Sequence, residues 1–147
     1  MILGHDISEM LTKEAGDYSK SVLSALFELG LSPKLKGFGY TLEAILVYRQ
    51  DPRQSIMKDI YPAVARLQSP GISPAQVERN IRWAVGLAWK NRDEAVWAKY
   101  FCDLHNIGQR KPTNLEFTSQ IAWRIESWGT SSGDDGNDKE KSKDLSR

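Results

Sequence analysis

Six prolines, at positions 33, 52, 62, 70, 74 and 112, set the limits on what this 147-residue chain can fold into. Proline lacks a backbone N–H and clashes with the preceding helical turn, so each one ends a helix or opens one. Between the prolines, apolar residues recur every three or four positions and nowhere alternate strictly over a strand's length. The pattern predicts an all-α chain of six or seven short helices.

The first helix is expected from about Tyr18 to Leu29, with Val22, Leu26 and Leu29 on one stripe and Gly30 as its stop. The second covers about Lys36 to Gln50, with Leu42, Ile45, Leu46 and Val47 buried despite Gly37 and Gly39, and Asp51-Pro52 closes it. Ser55 to Ile60 reads as a short helix and Pro62 to Gln68 as another, followed by a turn at Ser69-Pro70-Gly71-Ile72. Ser73-Pro74-Ala75-Gln76 has a capping hydroxyl, a proline at the first helical position and a glutamine three residues on, so a helix should open there and reach Asn91. Asp93 caps a helix with Val96, Trp97, Tyr100, Phe101 and Leu104 inward, and Thr113-x-x-Glu116 caps a last one carrying Phe117, Ile121, Ile125 and Trp128. Residues 7–16 form at most a short separate helix, with Ile7, Met10 and Leu11 on one side. From Gly129 on, Leu145 is the single large apolar residue, too little to offset the entropy of ordering, so residues 130–147 are expected to be a disordered tail. The expected organisation is an extension over 1–17, a folded domain over 18–129 and that tail.

Composition narrows the function classes. No apolar run approaches the ~20 residues that cross a bilayer, and the N-terminus lacks a signal peptide's basic start and apolar stretch, which places the chain in the cytoplasm. One cysteine, Cys102, and two histidines, His5 and His105, are too few for a four-ligand zinc site of nitrogen and sulfur, and no cofactor is expected. Cys102 and His105 are three apart on one helix, a nucleophile-and-base spacing, yet Cys102 adjoins the Phe101 and Leu104 stripe and reads as a small core residue. An enzyme is therefore not expected. The net charge of +1 hides a partition: residues 1–17 hold four acids and one base, residues 130–147 five acids and four bases, and the stretch between carries +5. A basic domain seeks phosphate or acidic protein.

Projected at ~100° per residue, the helix from Ala75 to Asn91 gathers Val77, Ile81, Ala84, Val85 and Ala88 on one arc and Arg79, Arg82, Trp83, Gly86 and Lys90 on the opposite one, with Glu78 at its edge. A short helix, a turn and a longer helix with a basic outward side is how a helix-turn-helix enters the major groove. Arginine can donate two parallel hydrogen bonds to guanine and glutamate can accept from the cytosine amino group, so Glu78 and Arg79 are candidate base readers. Arg82 and Lys90 suit phosphates, as do Ser73, Gln76 and the amides of the helix start. Two blander readings stand beside these: Glu78 and Arg82, four apart, can form an ordinary surface ion pair, and Trp83 can be a buried knob against a neighbouring helix.

The sequence resembles the C-terminal DNA-binding effector domain of the stage-zero sporulation regulator, the master sporulation transcription factor of endospore-forming Firmicutes. The matching strings are Leu26-Phe27-Glu28-Leu29-Gly30, Lys36-Gly37, Leu42-Glu43-Ala44-Ile45, Ser55-Ile56 through Tyr61-Pro62, Val77-Glu78-Arg79-x-Ile81-Arg82, Ala88-Trp89 and Lys111-Pro112-Thr113-Asn114-x-Glu116-Phe117, in family order over residues 18–128. The resemblance implies a six-helix fold whose recognition helix starts at Pro74, with Glu78 and Arg79 on base edges and Arg82 in the contact set. It also implies double-stranded DNA boxes of the TGTCGAA type in tandem, a dimer on that DNA, and an RNA polymerase sigma factor met by the region of Arg92, Glu94, Val96 and Phe101. Such a protein would work on the nucleoid.

Three departures qualify the transfer. Trp83 stands where the family has histidine, the turn Ser69–Ile72 is about two residues longer, and the 17 residues before the first helix are too few for the receiver domain that controls the full-length regulator. The competing reading is a protein-interaction module that modulates the full-length regulator without binding DNA itself.

Overall fold

Helix ends fall where proline, glycine and capping side chains require them. The computed structural model describes residues 2–68, 71–101 and 110–132, and among these are six α-helices: α1 (Ile2–Leu29), α2 (Lys36–Gln50), α3 (Tyr61–Leu67), α4 (Pro74–Lys90), α5 (Glu94–Phe101) and α6 (Asn114–Ser132). The expected short helix after Ser55 is a π-helical turn, Ile56–Ile60, in which Ile60 N–H reaches back five residues to Ser55 O at 3.1 Å. The all-α class and the helix-turn-helix segment, α3 followed by α4, are as the sequence predicts.

Gly30, at φ 91°, ends α1. Leu31 N–H donates to Leu26 O and Gly30 N–H to Phe27 O, both at 3.0 Å, a left-handed closure that disfavours any residue with a Cβ. At the other end α1 departs from expectation, because residues 7–16 and 18–29 belong to one helix that begins at Ile2. Gly16 costs a helix only about 1 kcal/mol relative to alanine, and Lys13, Glu14 and Ala15 before it are good helix formers. Residue 17 is therefore no break in the backbone. Helix α6 continues to Ser132, beyond the expected end of the domain at 129. The rest of the expected tail lies outside the described residues, as do Ser69, Pro70, Cys102, Leu104 and His105.

Helix α2 lies at the centre and packs on α1, α3, α4 and α6. Its buried residues are Gly37, Phe38, Tyr40, Thr41, Ala44 and Ile45, while Leu42, Leu46 and Val47 are only half-buried. The sequence expectation had placed the buried side on the larger aliphatic residues. Ile45 is buried as expected, and close approach to α4 at Gly37 sets small residues, Gly37, Thr41 and Ala44, on the buried face beside it. A Cβ on Gly37 would lie 2.0 Å from Asn80 O and 2.9 Å from the Ala84 Cβ, so the backbones of α2 and α4 touch at this point. Thr41, buried beside it, donates its hydroxyl to Gly37 O at 2.6 Å and so satisfies its own polar group within the helix.

On the other side of the core, Trp97 of α5 packs against Trp89, Phe101 and Phe117 with ring centroids 5.6, 5.3 and 5.9 Å away. Its indole N–H donates to Leu29 O at 3.0 Å and so satisfies a terminal carbonyl of α1. Tyr18 ties the same helix to α6, its hydroxyl donating to Ala122 O at 3.3 Å.

Helix α6 opens with the expected capping box. Glu116 N–H donates to Thr113 Oγ1 at 3.1 Å and Thr113 N–H to Glu116 Oε1 at 2.8 Å. Arg110 adds two parallel bonds to the same carboxylate, at 2.7 and 2.8 Å. Those arginine bonds, reinforced by the Thr113 amide, hold the Glu116 carboxyl down at about 2.

Two outcomes follow from this packing. Gly37→Ala should destabilise the chain by about 1–3 kcal/mol in urea unfolding, whereas Gly39→Ala, whose Cβ would meet nothing within 4 Å, should be neutral or gain up to about 1 kcal/mol. Because Glu116 binds its proton more weakly folded than unfolded, its contribution is full above the ordinary glutamate range and fades as pH falls toward about 2. Glu116→Gln should therefore be less stable than the unaltered chain at pH 7, and the gap should close in acid; a gap unchanged from pH 7 to pH 2 would contradict this.

Candidate nucleic-acid interface

Helix α4 is built from its first turn. Gln76 N–H donates to the Ser73 hydroxyl at 3.2 Å and Ser73 N–H donates to Gln76 Oε1 at 2.7 Å, with Pro74 in the first turn. The cap therefore uses groups that the sequence reading had assigned to phosphate. The Ser73 O–H and the Gln76 Nε2 amino group are not used by the cap.

The inward residues of α4 are Val77, Ile81, Ala84, Val85 and Ala88, all buried, the same five that the helical projection placed on the core arc. Burying that arc leaves Arg79, Arg82, Trp83 and Lys90 exposed on the outer side. Trp83 is 60% exposed, so it is no core knob. The outer face forms a shallow groove bounded by these four side chains, Gly86 and Lys111. Lys111 comes from the segment before α6, and its Nζ would lie 3.5 Å from a Cβ on Gly86, so the ammonium lies across the bare backbone of α4. Pro112, buried next to it, fixes the place from which the lysine reaches. Sequence reasoning placed Lys111 only within a matching string. Its remoteness from α4 in the chain hid its place in the groove, although the glycine at position 86 of a basic face was a signal that something crosses there.

Glu78 and Arg82 form the i,i+4 ion pair, with side chains 25% and 53% exposed. A pair this open to water contributes only about 0.3–0.5 kcal/mol. It is weak enough to exchange for contacts with DNA. Arg79, Lys90 and Lys111 take part in no ion pair among the described residues, so among these residues the groove keeps a net positive charge.

Contacts from outside α4 hold it in place. Asn114, the first residue of α6, donates from Nδ2 to Tyr61 Oη at 2.9 Å and to Glu78 O at 3.1 Å. Burial pushes the Tyr61 hydroxyl above the ordinary tyrosine range, keeping it neutral and able to accept. Gln68, which follows α3, donates to the carboxylate of Glu43 on α2 and to Val64 O at 3.0 Å. Partial burial raises the Glu43 carboxyl above the ordinary range. After Gln68 the chain re-enters the described residues at Gly71, which sits at φ 99°, a conformation suited to glycine in the turn before α4.

The α5 region corrects one expectation. Phe101 is wholly buried against Trp97 and Phe117 and is not offered to a partner. Arg92 stacks over Trp89 at 3.5 Å and donates to Trp89 O at 2.9 Å, while Val96 is half-buried. Glu94 alone of the four is well exposed. Among the described residues no cluster of three metal-binding side chains occurs, and no helix is long and apolar enough to cross a membrane.

The site is thus a capped amphipathic helix, preceded by a shorter helix and a turn, with its cationic side facing outward. The family model described as sporulation initiation factor Spo0A C terminal matches residues 22–125, a span that includes α2 through α5, the C-terminal part of α1 and most of α6. A match over most of the chain, on a fold with the same helix-turn-helix, assigns membership: this chain belongs to the Spo0A C-terminal family of DNA-binding, sporulation-regulating transcription-factor domains.

Proposed function

We propose that the chain is a sequence-specific transcriptional regulator that reads double-stranded DNA by seating α4 in the major groove. The observation that carries this reading is the outer groove of α4, where Arg79, Arg82, Lys90 and Lys111 surround an exposed tryptophan on a helix whose opposite face is buried. DNA offers what such a face lacks: phosphates for Lys90 and Lys111, and base edges for a residue in the second turn of the helix.

Arg79 is exposed and has no carboxylate partner among the described residues, and its bidentate match is the O6/N7 edge of guanine. Glu78 reaches a cytosine amino group once Arg82 leaves it for a phosphate, so the Glu78–Arg82 pair opens on the DNA. Trp83 donates its indole N–H to the backbone and covers sugar with its ring, in place of the smaller histidine of the family pattern. Ser73 O–H and the Gln76 amino group meet a phosphate at the helix start. The expected target is a pair of TGTCGAA-type boxes occupied by two copies, and the protein then works in the cytoplasm, on the nucleoid. Where it activates, exposed Glu94 of α5 is the residue offered to the polymerase sigma factor, and Glu94→Ala should lower promoter activation while leaving DNA affinity unchanged.

The test is a fluorescence-anisotropy titration of the full chain against a tandem-box duplex and a scrambled duplex at two salt concentrations. A preference above about 100-fold that weakens steeply with salt supports sequence reading. Equal or absent binding overturns it and favours the interaction module. Arg79→Ala should cost about 1–3 kcal/mol on the boxes and relax preference at one base pair. Lys90→Ala and Lys111→Ala should weaken both duplexes alike, each lowering the salt slope by about one.

A further inference from the structure

We infer that Asn114 is the positioning residue that sets the pose of the reading helix, acting through the Glu78 backbone and not through contact with DNA. The inference rests on the DNA-reading proposal above.

Asn114 joins three elements at one atom. It is the first residue of α6, and its Nδ2 donates both to Tyr61 Oη, at the start of α3, and to Glu78 O, in α4. Glu78 O is an acceptor only, so the amide nitrogen must be the atom that faces it. In mid-helix that carbonyl already accepts the N–H four residues on, and the asparagine uses its second lone pair. The bond is therefore not needed to complete the helix. What it adds is a fixed relation between the body and the residue immediately before Arg79.

The surroundings make this anchor rigid. Thr118, wholly buried, donates to Asn114 O at 2.7 Å, and the Thr113–Glu116 box with Arg110 holds the first turn of α6 from outside. Tyr61 is 2% exposed, so the second partner of the amide is equally fixed. The Gly37–Asn80 contact holds α4 from the α2 side, two residues further along the helix. The buried arc and the Asn80 contact hold α4 by non-directional packing; the hydrogen bond at Glu78 O, from α6, adds a directional hold beside Arg79. Base reading depends on such placement, because a bidentate arginine–guanine pair tolerates only a small change of angle, whereas phosphate contacts tolerate more.

Asn114→Asp tests this in the full chain. The substitution keeps shape but replaces the donor with an acceptor facing Glu78 O. The ratio of tandem-box to scrambled-duplex affinity should fall at least tenfold, with the salt slope unchanged, since the cations remain. Tyr61→Phe, which leaves the Glu78 bond in place, should keep the ratio within about threefold of the unaltered chain. Thr118→Val removes a buried hydrogen bond to the same residue and serves as the control for stability alone: it should lower the melting temperature and leave the ratio unchanged. Asn114→Ala, which removes the donor without adding charge, reads the same ratio if Asn114→Asp does not fold. A ratio preserved in the folded Asn114 variant, or lost equally in Thr118→Val, overturns the inference while DNA reading stands. An unaltered chain with no preference overturns both.

Discussion

The contact between Gly37 and Asn80 is the constraint on which the rest of the molecule depends. With no side chain at position 37, the α2 backbone reaches the α4 backbone so closely that a single methyl group would overlap Asn80 O. Packing at this distance needs small groups where Gly37 meets Asn80 and Ala84; along the same helix Thr41, Ala44 and Ile45 are buried, while Leu42, Leu46 and Val47 are only half-buried. Thr41 can occupy such a seam because its hydroxyl finds Gly37 O within its own helix. A glycine that weakens the helix it belongs to is here what lets two helices meet.

From that seam outward, the orientation of α4 decides the electrostatics. Its inner arc is short-chained and fully buried, so its outer arc must face solvent, and the cations on that arc lie side by side. Lys111 joins them from another part of the chain, lying over Gly86. Among the described residues the carboxylate that pairs on this face is Glu78, held by Arg82 in a pair weak enough to exchange. The groove is therefore cationic for a structural reason: the helix cap and core fix which side of α4 shows, and the segment before α6 adds to that side.

Much of this was legible along the chain. The Ser73–Gln76 box, the five core residues of α4, the Asp93 cap and the Thr113–Glu116 box depend on neighbours within four residues, and each formed as the spacing predicts. The errors fall where distant segments decide. Leu42, Leu46 and Val47 look like the buried face of α2 together with Ile45, yet only Ile45 of the four is fully buried, and Gly37, Thr41 and Ala44 share its face where α2 closes on α4. Phe101, which periodicity placed inward, is buried in the aromatic cluster around Trp97, so the sigma-factor region implied by the resemblance does not include it. Residues 7–16 read as at most a short separate helix, but they are continuous with 18–29, since the single glycine near the junction, Gly16, is too weak a breaker. The π-helical turn at Ile56–Ile60 was invisible for another reason, since its period differs by one residue from that of an ordinary helix.

The sequence by itself determined the helical class, the caps, the inner and outer sides of α4 and the family, because periodicity, capping and the matching strings are properties of residues near one another in the chain. Only the tertiary structure decided that Trp83 is exposed, that Lys111 crosses α4 and that Asn114 holds Tyr61 and Glu78 together. Each of these depends on which helices approach one another and how closely. That is fixed by packing across the core, where a missing Cβ at Gly37 has more influence than any local preference.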